Sequence, residues 1–439
     1  MLIDARSMAP AIAICDKFPD SQGGDLERDA GLRSGRRART RFLLTAVLGL
    51  VVAGITPATA QTTDRDRLRH AVEYLLVSQS PSGFFLYDFD FLAGRSADAD
   101  NIVRQAGTAY ILAEYYLHAR DPRVRLSIEL TLKRLGELSL PIGKSWAQAA
   151  VEQTRLLSLP IGRYKRRAGL ERFGLMYRPS GDGKVISPDG RYLTAQTGAT
   201  AVALLAELQY QQATTDNRFG ALRSAWLEGL LSLRIPGRGF KISPGFIDDT
   251  PFFDGEVWFA LAYYNDVFTS DKSVASTLES LDAYLMRRYA NDVTTGFYQW
   301  GTMAAARRFK ATSDQKFVSF IRAQAQTFLN VPRRDQWRGD NTCAEMEGLA
   351  TTVAMLRAHG SADGALIERI EGRLNEEMEK IRQLQVPPNA TRLDFGKGVY
   401  LMSPKLRDFS GAFLEGRFRP YTRVDATAHC VSAMVKLAR

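Results

Sequence analysis

The segment Pro251–Tyr264, PFFDGEVWFALAYY, restricts the possible folds more than any other part of the sequence. A helix on the surface of a globular protein keeps one polar face, and this segment has almost none. Its two charged residues, Asp254 and Glu256, lie in the first turn, where carboxylates interact favourably with the positive end of the helix dipole. The segment therefore predicts an interior helix whose polar N-terminal end faces a cavity.

Buried segments of this type alternate along the chain with amphipathic helices. Six buried-type helices are predicted to begin near residues 101, 193, 252, 298, 343 and 424, and six amphipathic helices near residues 64, 121, 216, 271, 313 and 362. Helical hairpins that recur about every fifty residues indicate a repeat architecture. An open array would leave two ends that need capping, whereas a closed ring has none. We therefore predict an all-α (α/α)6 toroid of six helical hairpins, a single domain over residues 62–439 with minor strand content in loops.

Residues 1–60 are predicted to be a leader outside the toroid. Four arginines between positions 36 and 41 precede the apolar run Phe42–Ile55, which is followed by Ala58-Thr59-Ala60. A basic stretch, an apolar stretch and an A-x-A site make up a secretory signal, and this apolar stretch is short for a membrane span. We expect cleavage after Ala60 and a periplasmic or secreted protein. An uncleaved signal would be its only attachment to a membrane.

The charge of the chain bears on its partners. The net charge of +10 comes from 58 basic and 48 acidic residues, and it would suit an anionic glycan as well as a simple solvated basic surface. No nucleic-acid-binding motif is present, so nucleic acid is not expected as a partner. The four histidines do not have the spacing of a metal site, and we expect neither a metal nor another cofactor.

Two cysteines, Cys343 and Cys430, lie outside the leader. An even number of cysteines in an oxidising compartment permits a disulfide. Both residues belong to predicted inner helices, where they could equally be two small buried side chains. The sequence leaves both possibilities open.

Short motifs at the predicted inner helices point to a known superfamily. They are the Gly-Phe turns Gly83-Phe84, Gly239-Phe240 and Gly296-Phe297, the run Arg104-Gln105-Ala106-Gly107, and Asp254-Gly255-Glu256 with its apolar continuation. In these features the chain resembles the six-hairpin glycosidase-like superfamily, with weaker similarity to terpenoid-cyclase-like toroids and to the C-terminal domain of glucuronyl C5-epimerases. The resemblance implies a funnel lined by inner-helix N-termini, usually acting on carbohydrate. No catalytic motif of a single family is matched, so no catalytic role is transferred.

In such a ring the polar residues near the inner-helix N-termini share one face. Carboxylates beside aromatic side chains suit glycoside hydrolysis, which needs one acid for the leaving oxygen and one carboxylate to activate water or attack. We predict as catalytic residues Glu256, Glu345, Asp425 and His429. We predict as substrate-binding residues Arg104, Gln105, Gln196, Asp254, Tyr298, Trp300 and Glu347. For each acid, charge complementation at a helix N-terminus is the competing explanation.

Two of these predictions depend on side-chain chemistry in more detail. Asp425 and His429 are four residues apart, so they share a helix face and can couple. His429 would act as a general base, or else as a hydrogen-bonded core residue. The forked donors of Arg104 match the carboxylate of an anionic sugar, or else an acid nearby in the sequence, such as Asp100.

The sequence thus predicts an exported carbohydrate-active enzyme, most simply a glycoside hydrolase. One alternative is a uronic-acid C5-epimerase or polysaccharide lyase, in which Tyr298 or His429 abstracts a proton and Arg104 neutralises the substrate carboxylate. Another is a non-catalytic glycan-binding or assembly protein that has kept the ring and lost the chemistry.

Overall fold

The computed structural model describes residues 63–97, 100–142, 182–246, 248–293, 296–330, 340–360 and 363–438. All of the described residues belong to one compact unit, Gln61–Arg439. The predicted leader, residues 1–60, lies outside the described residues.

In the described ranges, α-helices alternate between an outer and an inner layer. The outer helices are α1 (Asp64–Ser78), α3 (Pro122–Glu137), α5 (Gly220–Ser232), α7 (Lys272–Arg288), α9 (Gln315–Asn330) and α11 (Gly364–Leu384). The inner helices are α2 (Ile102–Ala119), α4 (Thr197–Thr214), α6 (Pro251–Val267), α8 (Phe297–Thr312), α10 (Cys343–His359) and α12 (Val424–Leu437). Their starts lie within about four residues of those expected from hydrophobic periodicity, the usual uncertainty of such boundaries.

The inner helices form a closed ring. Each packs against the inner helix before it and the one after it, and α12 packs against α2 to complete the circuit. The chain ends of the ring also meet outside, where Arg382 of α11 donates a hydrogen bond to Asp64 of α1 at 2.7 Å. The predicted all-α (α/α)6 toroid of six helical hairpins is confirmed.

The two layers differ because their burial differs. In α4 every residue from Thr197 to Tyr210 is buried, as expected for a helix enclosed by ring neighbours and an outer helix. In α11 the buried apolar residues recur every three or four positions, namely Leu366, Ile370, Leu374, Met378 and Ile381. An outer helix therefore needs only one apolar stripe, whereas an inner helix needs an almost fully apolar surface.

Short strands occur only in the loops of the described residues. They are β1 (Asp88–Asp90), β2 (Ser139–Pro141), β3 (Lys184–Ile186), β4 (Arg392–Asp394), β5 (Tyr400–Met402), β6 (Leu414–Gly416) and β7 (Arg419–Arg423). All pairings are antiparallel, in the sheets β1-β7-β6, β2-β3 and β4-β5. Because β7 runs directly into α12, the three-stranded sheet lies at the N-terminal end of the ring. The predicted minor strand content is confirmed.

Four inner helices hold the preceding loop by the same device. The fourth residue of the helix accepts a hydrogen bond from a backbone N–H of that loop, so that an otherwise orphaned buried donor is satisfied. The pairs are Gln105 with Phe85 (2.8 Å), Thr200 with Ile186 (3.0 Å), Asp254 with Phe240 (2.9 Å) and Thr427 with Phe413 (3.0 Å). The loops are thereby fixed against the mouth of the ring.

Cys343 and Cys430 form a disulfide that joins the start of α10 to the middle of α12. The pairing answers the question that the sequence left open. Within the described part of the chain, no helix combines the length and apolarity needed to cross a membrane.

Candidate active site

Aromatic side chains from three inner helices meet at the centre of the ring. The ring of Tyr110 on α2 lies 6.0 Å from those of both Phe259 on α6 and Trp300 on α8, measured between centroids. Phe259 and Trp300 are 6.2 Å apart. Since α2 and α8 are opposite each other in the ring, the contact between Tyr110 and Trp300 spans its interior. We call Tyr110, Phe259 and Trp300 the aromatic floor.

A histidine at the mouth is held by a buried carboxylate. The Nδ1 atom of His429 on α12 lies 2.7 Å from Oε1 of Glu347 on α10. The Glu347 side chain is fully buried, whereas that of His429 is 22% exposed. The Gln299 amide makes a longer contact, 3.3 Å, with the same Nδ1. Since Glu347 accepts the Nδ1 proton, the Nε2 atom is the one left to meet a ligand.

The surroundings of His429 favour its protonated form. Burial opposes the imidazolium, but the carboxylates of Glu347 and Asp425 outweigh it and raise the pKa of His429 above the ordinary value. His429 therefore holds its proton to a higher pH than a free imidazole does, and histidine is the side chain most often used as a general acid–base group.

Beside His429 lies a cluster of arginines and carboxylates. Arg104 Nε of α2 is 2.9 Å from Asp425 Oδ2 of α12, and Arg104 also bonds the Tyr87 hydroxyl. Arg423 lies 2.9 Å from both Asp425 and Glu415. Burial would raise the pKa of Asp425, but Arg104 and Arg423 outweigh it and hold that pKa below the ordinary value. Two guanidinium groups thus balance two carboxylates, and Arg104 remains 31% exposed.

A second acid lies on the opposite wall. Glu256 is the sixth residue of α6, as His429 is of α12, and these two helices are opposite in the ring. Glu256 is three residues before Phe259, so it shares the helix face that carries the aromatic floor. Its Oε2 atom is buried without a hydrogen-bond partner in the described residues, against Gly198, where a Cβ would overlap it. Burial raises the pKa of Glu256 to about 8, so this carboxyl is mostly protonated at neutral pH.

Comparison with known proteins extends these observations. No protein-family model matches the chain, and no curated protein matches it closely enough to be significant. Solved structures do match over most of both chains. A GH76 α-1,6-mannanase from a Salegentibacter species has a TM-score of 0.55 at 11% identity, covering 86% of this chain and 99% of the mannanase. A sugar epimerase from a ruminal bacterium has a TM-score of 0.54 at 10% identity, covering 84% of this chain and 97% of the epimerase.

A third match is a cellobiose 2-epimerase from Bacillus thermoamylovorans, with a TM-score of 0.54 at 9% identity over 84% of this chain and 97% of that one. The chain has the six-hairpin glycosidase-like fold. The resemblance seen in the sequence is thereby confirmed for the architecture. At identities this low, the likeness shows the fold alone, and a function must be argued from the site.

The six-hairpin toroid brings together four of the predicted residues. Arg104, Glu347, Asp425 and His429 form one connected group on α2, α10 and α12. Glu256 lies on α6, the helix opposite α12 in the ring, with its Oε2 against Gly198 of α4. The catalytic and binding roles of all five remain predictions.

The other predicted residues contact different parts of the toroid, although the charge of Glu345 also acts on His429. Gln105 and Asp254 bond the preceding turns, as described above, and Trp300 belongs to the aromatic floor. Tyr298 stacks at 4.5 Å on Phe328 of the outer helix α9, so its ring points away from the axis. Glu345 is half-buried in the first turn of α10, and its charge acts on Lys380 of α11. Gln196 is half-buried at the N-cap position of α4 and makes no capping hydrogen bond.

Several polar residues of the toroid were not predicted. Those in loops are Glu415 and Arg423, and those on inner helices are Glu114, Gln299, Ser432 and Lys436. A signal for two of them exists, because Asp425, His429, Ser432 and Lys436 follow one another at spacings of four, three and four on a single face of α12. The loop residues carry no comparable periodicity. Among the described residues, no group of three or more histidines, cysteines or carboxylates could hold a metal ion.

Proposed function

We propose that this chain is a carbohydrate-active enzyme that transfers a proton at a sugar carbon, with His429 as its acid–base group. The observation that carries the proposal is the His429–Glu347 pair, in which a fully buried carboxylate fixes Nδ1 at 2.7 Å while the His429 side chain stays 22% exposed. In this arrangement the imidazole takes a proton at Nε2, and the carboxylate stabilises the imidazolium that forms.

The reaction class follows from what an imidazole can deprotonate. A sugar C–H is acidic enough only next to a carbonyl or carboxyl group, which accepts the electron pair when the C–H bond breaks. Arg104, 31% exposed and paired with Asp425 four residues before His429, offers donors for that developing negative charge. Epimerisation then needs a proton delivered to the other face of the same carbon.

Glu256 suits that second transfer. It lies on the wall opposite His429, and its raised pKa of about 8 keeps it protonated at neutral pH. A proton leaves the sugar to His429 on one face and another arrives from Glu256 on the opposite face. The configuration is inverted, and both groups return to their starting states by exchange with water. The epimerases among the structural neighbours support this reaction within the same fold.

Glycoside hydrolysis is the second candidate, favoured by one specific observation. A neutral buried carboxyl such as Glu256 is the group that hydrolases use to protonate a leaving glycosidic oxygen. One structural neighbour is an α-1,6-mannanase solved in complex with α-1,6-mannotetrose, which supports a glycan ligand in a toroid of this kind. In this candidate Asp425 or Glu345 would be the second carboxylate.

The candidate reactions are distinguished by incubating the full chain with neutral and uronic-acid oligosaccharides in D2O. An epimerase incorporates deuterium at the inverted carbon, a lyase produces an ultraviolet-absorbing double bond, and a hydrolase produces reducing ends without deuterium on carbon. We expect deuterium incorporation, reduced about 100-fold or more in His429→Asn. The control His118→Asn removes an exposed histidine at the end of α2 and should leave the rate unchanged.

Two results would overturn the proposal. Unchanged conversion by His429→Asn would remove His429 from the chemistry. Binding without conversion across the panel would instead favour the non-catalytic glycan-binding protein.

We further propose that the protein is exported to the periplasm or beyond. The Cys343–Cys430 disulfide supports an oxidising compartment, as does the basic and apolar pattern before Ala60. Thiol-trapping mass spectrometry on protein from the native cells should find both cysteines blocked, and two free thiols would argue against export.

A further inference from the structure

A polar stripe continues along α12 below the candidate active site. After His429 on the same face come Ser432 and Lys436, and both contact acids of neighbouring inner helices. Ser432 Oγ is 2.7 Å from Glu114 Oε2 of α2 and 2.9 Å from Glu347 Oε2 of α10. This is the carboxylate whose other oxygen holds His429, so the stripe joins the site through a single side chain.

Lys436 forms the lower end of this chain of contacts. Its Nζ atom lies 2.8 and 2.7 Å from the two carboxylate oxygens of Glu114, and it also bonds Ser432. The ammonium is 3.7 Å from Glu347 Oε2. The Ser432 hydroxyl has one proton, so it can donate to only one of the two carboxylates at a time. The charge and bonding of Glu347 therefore depend on residues two turns below the mouth.

We propose that Lys436, Ser432 and Glu114 are positioning residues that set the charge of His429 through Glu347. We call these three residues the α12 relay. The inference rests on the proposed function only for the role of His429 in catalysis. The electrostatic coupling itself is a property of the folded protein without substrate.

The other charged groups around His429 have partners of their own. They are Glu345 on α10, Asp425 on α12, Arg104 on α2, and Arg423 and Glu415 in the loop before α12, while α8 presents the uncharged Gln299. The arginines and carboxylates at the rim are paired with one another, so their fields partly cancel. The carboxylate in direct contact with His429 is Glu347, and this is the group that the relay touches.

The charges of Lys436 and Glu114 should affect the protonation of His429 in opposite directions, which a merely structural role would not predict. Removing the Lys436 charge takes a cation away from Glu347, which favours a protonated His429. Removing the Glu114 charge lets the Lys436 ammonium interact more strongly with Glu347. This disfavours the protonated form of His429. Loss of packing alone would not shift the pKa of His429 in opposite directions in these two variants.

The test is a titration of His429 in the full chain, labelled with [13C-ε1]histidine and followed by NMR. The His429→Asn variant assigns the signal among the four histidines. We expect the pKa of His429 to rise by about one unit in Lys436→Met and to fall by about one unit in Glu114→Gln. Lys436→Arg keeps the positive charge and should shift the pKa of His429 little. Lys316→Met, which removes an exposed lysine paired with Asp314 on the outer surface, is the matched control.

Shifts in the same direction in both variants, or none, would overturn the relay. Ser432→Ala, a small change, provides a second route if Lys436→Met fails to fold. It removes a hydrogen-bond donor from Glu347 and should therefore also raise the pKa of His429, opposite to the fall expected for Glu114→Gln. Failure of the proposed function looks different. The opposite shifts would then be present, but His429→Asn would convert sugar at the normal rate.

Discussion

Two carboxylates two residues apart on α6 show how local bonding decides the protonation state of an acid. Asp254 accepts hydrogen bonds from the Phe240 N–H at 2.9 Å and the Tyr289 hydroxyl at 2.8 Å, and although burial raises its pKa, these bonds limit the rise to about 6. Glu256 is also buried, but no described residue bonds its Oε2, and its pKa reaches about 8. Asp254 therefore stabilises the loop, whereas Glu256 retains a proton that it can donate.

The raised pKa of Glu256 predicts a pH-dependent stability. The unfolded chain releases this proton near pH 4.5, whereas the folded chain keeps it up to about pH 8. The folded state therefore loses stability as pH rises between these values. Glu256→Gln cannot ionise, so relative to the wild type it should gain on the order of 3 kcal/mol between pH 5 and pH 8.

Chemical unfolding of both proteins at the two pH values measures this difference. Glu279→Gln, an exposed acid on α7, should show no such gain. Parallel pH profiles for the wild type and Glu256→Gln would mean that Glu256 ionises normally in the folded ring.

At the scale of the element, the loops at the mouth are held by the fourth residues of inner helices. The hydrogen bond to Asp254 requires the closest approach between loop and helix, because a Cβ on Gly239 would overlap the Asp254 Oδ1. We expect Asp254→Ala to lower the free energy of unfolding by about 3 kcal/mol, since it leaves the buried Phe240 N–H and the Tyr289 hydroxyl without their acceptor. Denaturant unfolding measures this loss.

Asp254→Asn should cost less, because its amide oxygen can still accept the Phe240 hydrogen bond. Asp408→Ala removes an exposed acid with a single long contact to Lys405, 3.3 Å, and serves as the control. If Asp254→Ala is as stable as this control but fails to bind glycan, Asp254 would be a ligand residue after all, as the sequence suggests.

The same elements show how far sequence reasoning reaches. The helices and their alternation could be predicted, because apolar periodicity is a local property of the chain. The functions of Gln105 and Asp254 could not be, since a polar residue in a first helical turn looks the same whether it bonds a loop or a ligand. Asp425 and His429 were found through their spacing, which extends to Ser432 and Lys436. Glu347 gains its partner only when the ring brings α10 against α12.

At the scale of the whole molecule, the site exists because the ring is closed. Glu347 and His429 are 82 residues apart in sequence. Arg104 lies near the beginning of the toroid sequence, and its partner Asp425 lies near the end. Only the contact of α12 with both α2 and α10 brings these four side chains together. The Cys343–Cys430 disulfide joins α10 to α12. It therefore links the two helices that carry Glu347 and His429.

Removing this link should destabilise the whole ring. The disulfide closes a loop spanning 87 positions, and in the chain-entropy model a loop of this length contributes about 4–5 kcal/mol by restricting the unfolded state. We expect the double variant Cys343→Ala/Cys430→Ala to lose most of this stability in guanidinium unfolding. Reduced wild type should unfold at nearly the same denaturant concentration as the variant. Because the bond acts on the unfolded chain, the folded variant should still titrate His429 normally. An altered His429 titration with unchanged stability would instead mean that the disulfide shapes the site and not the ring.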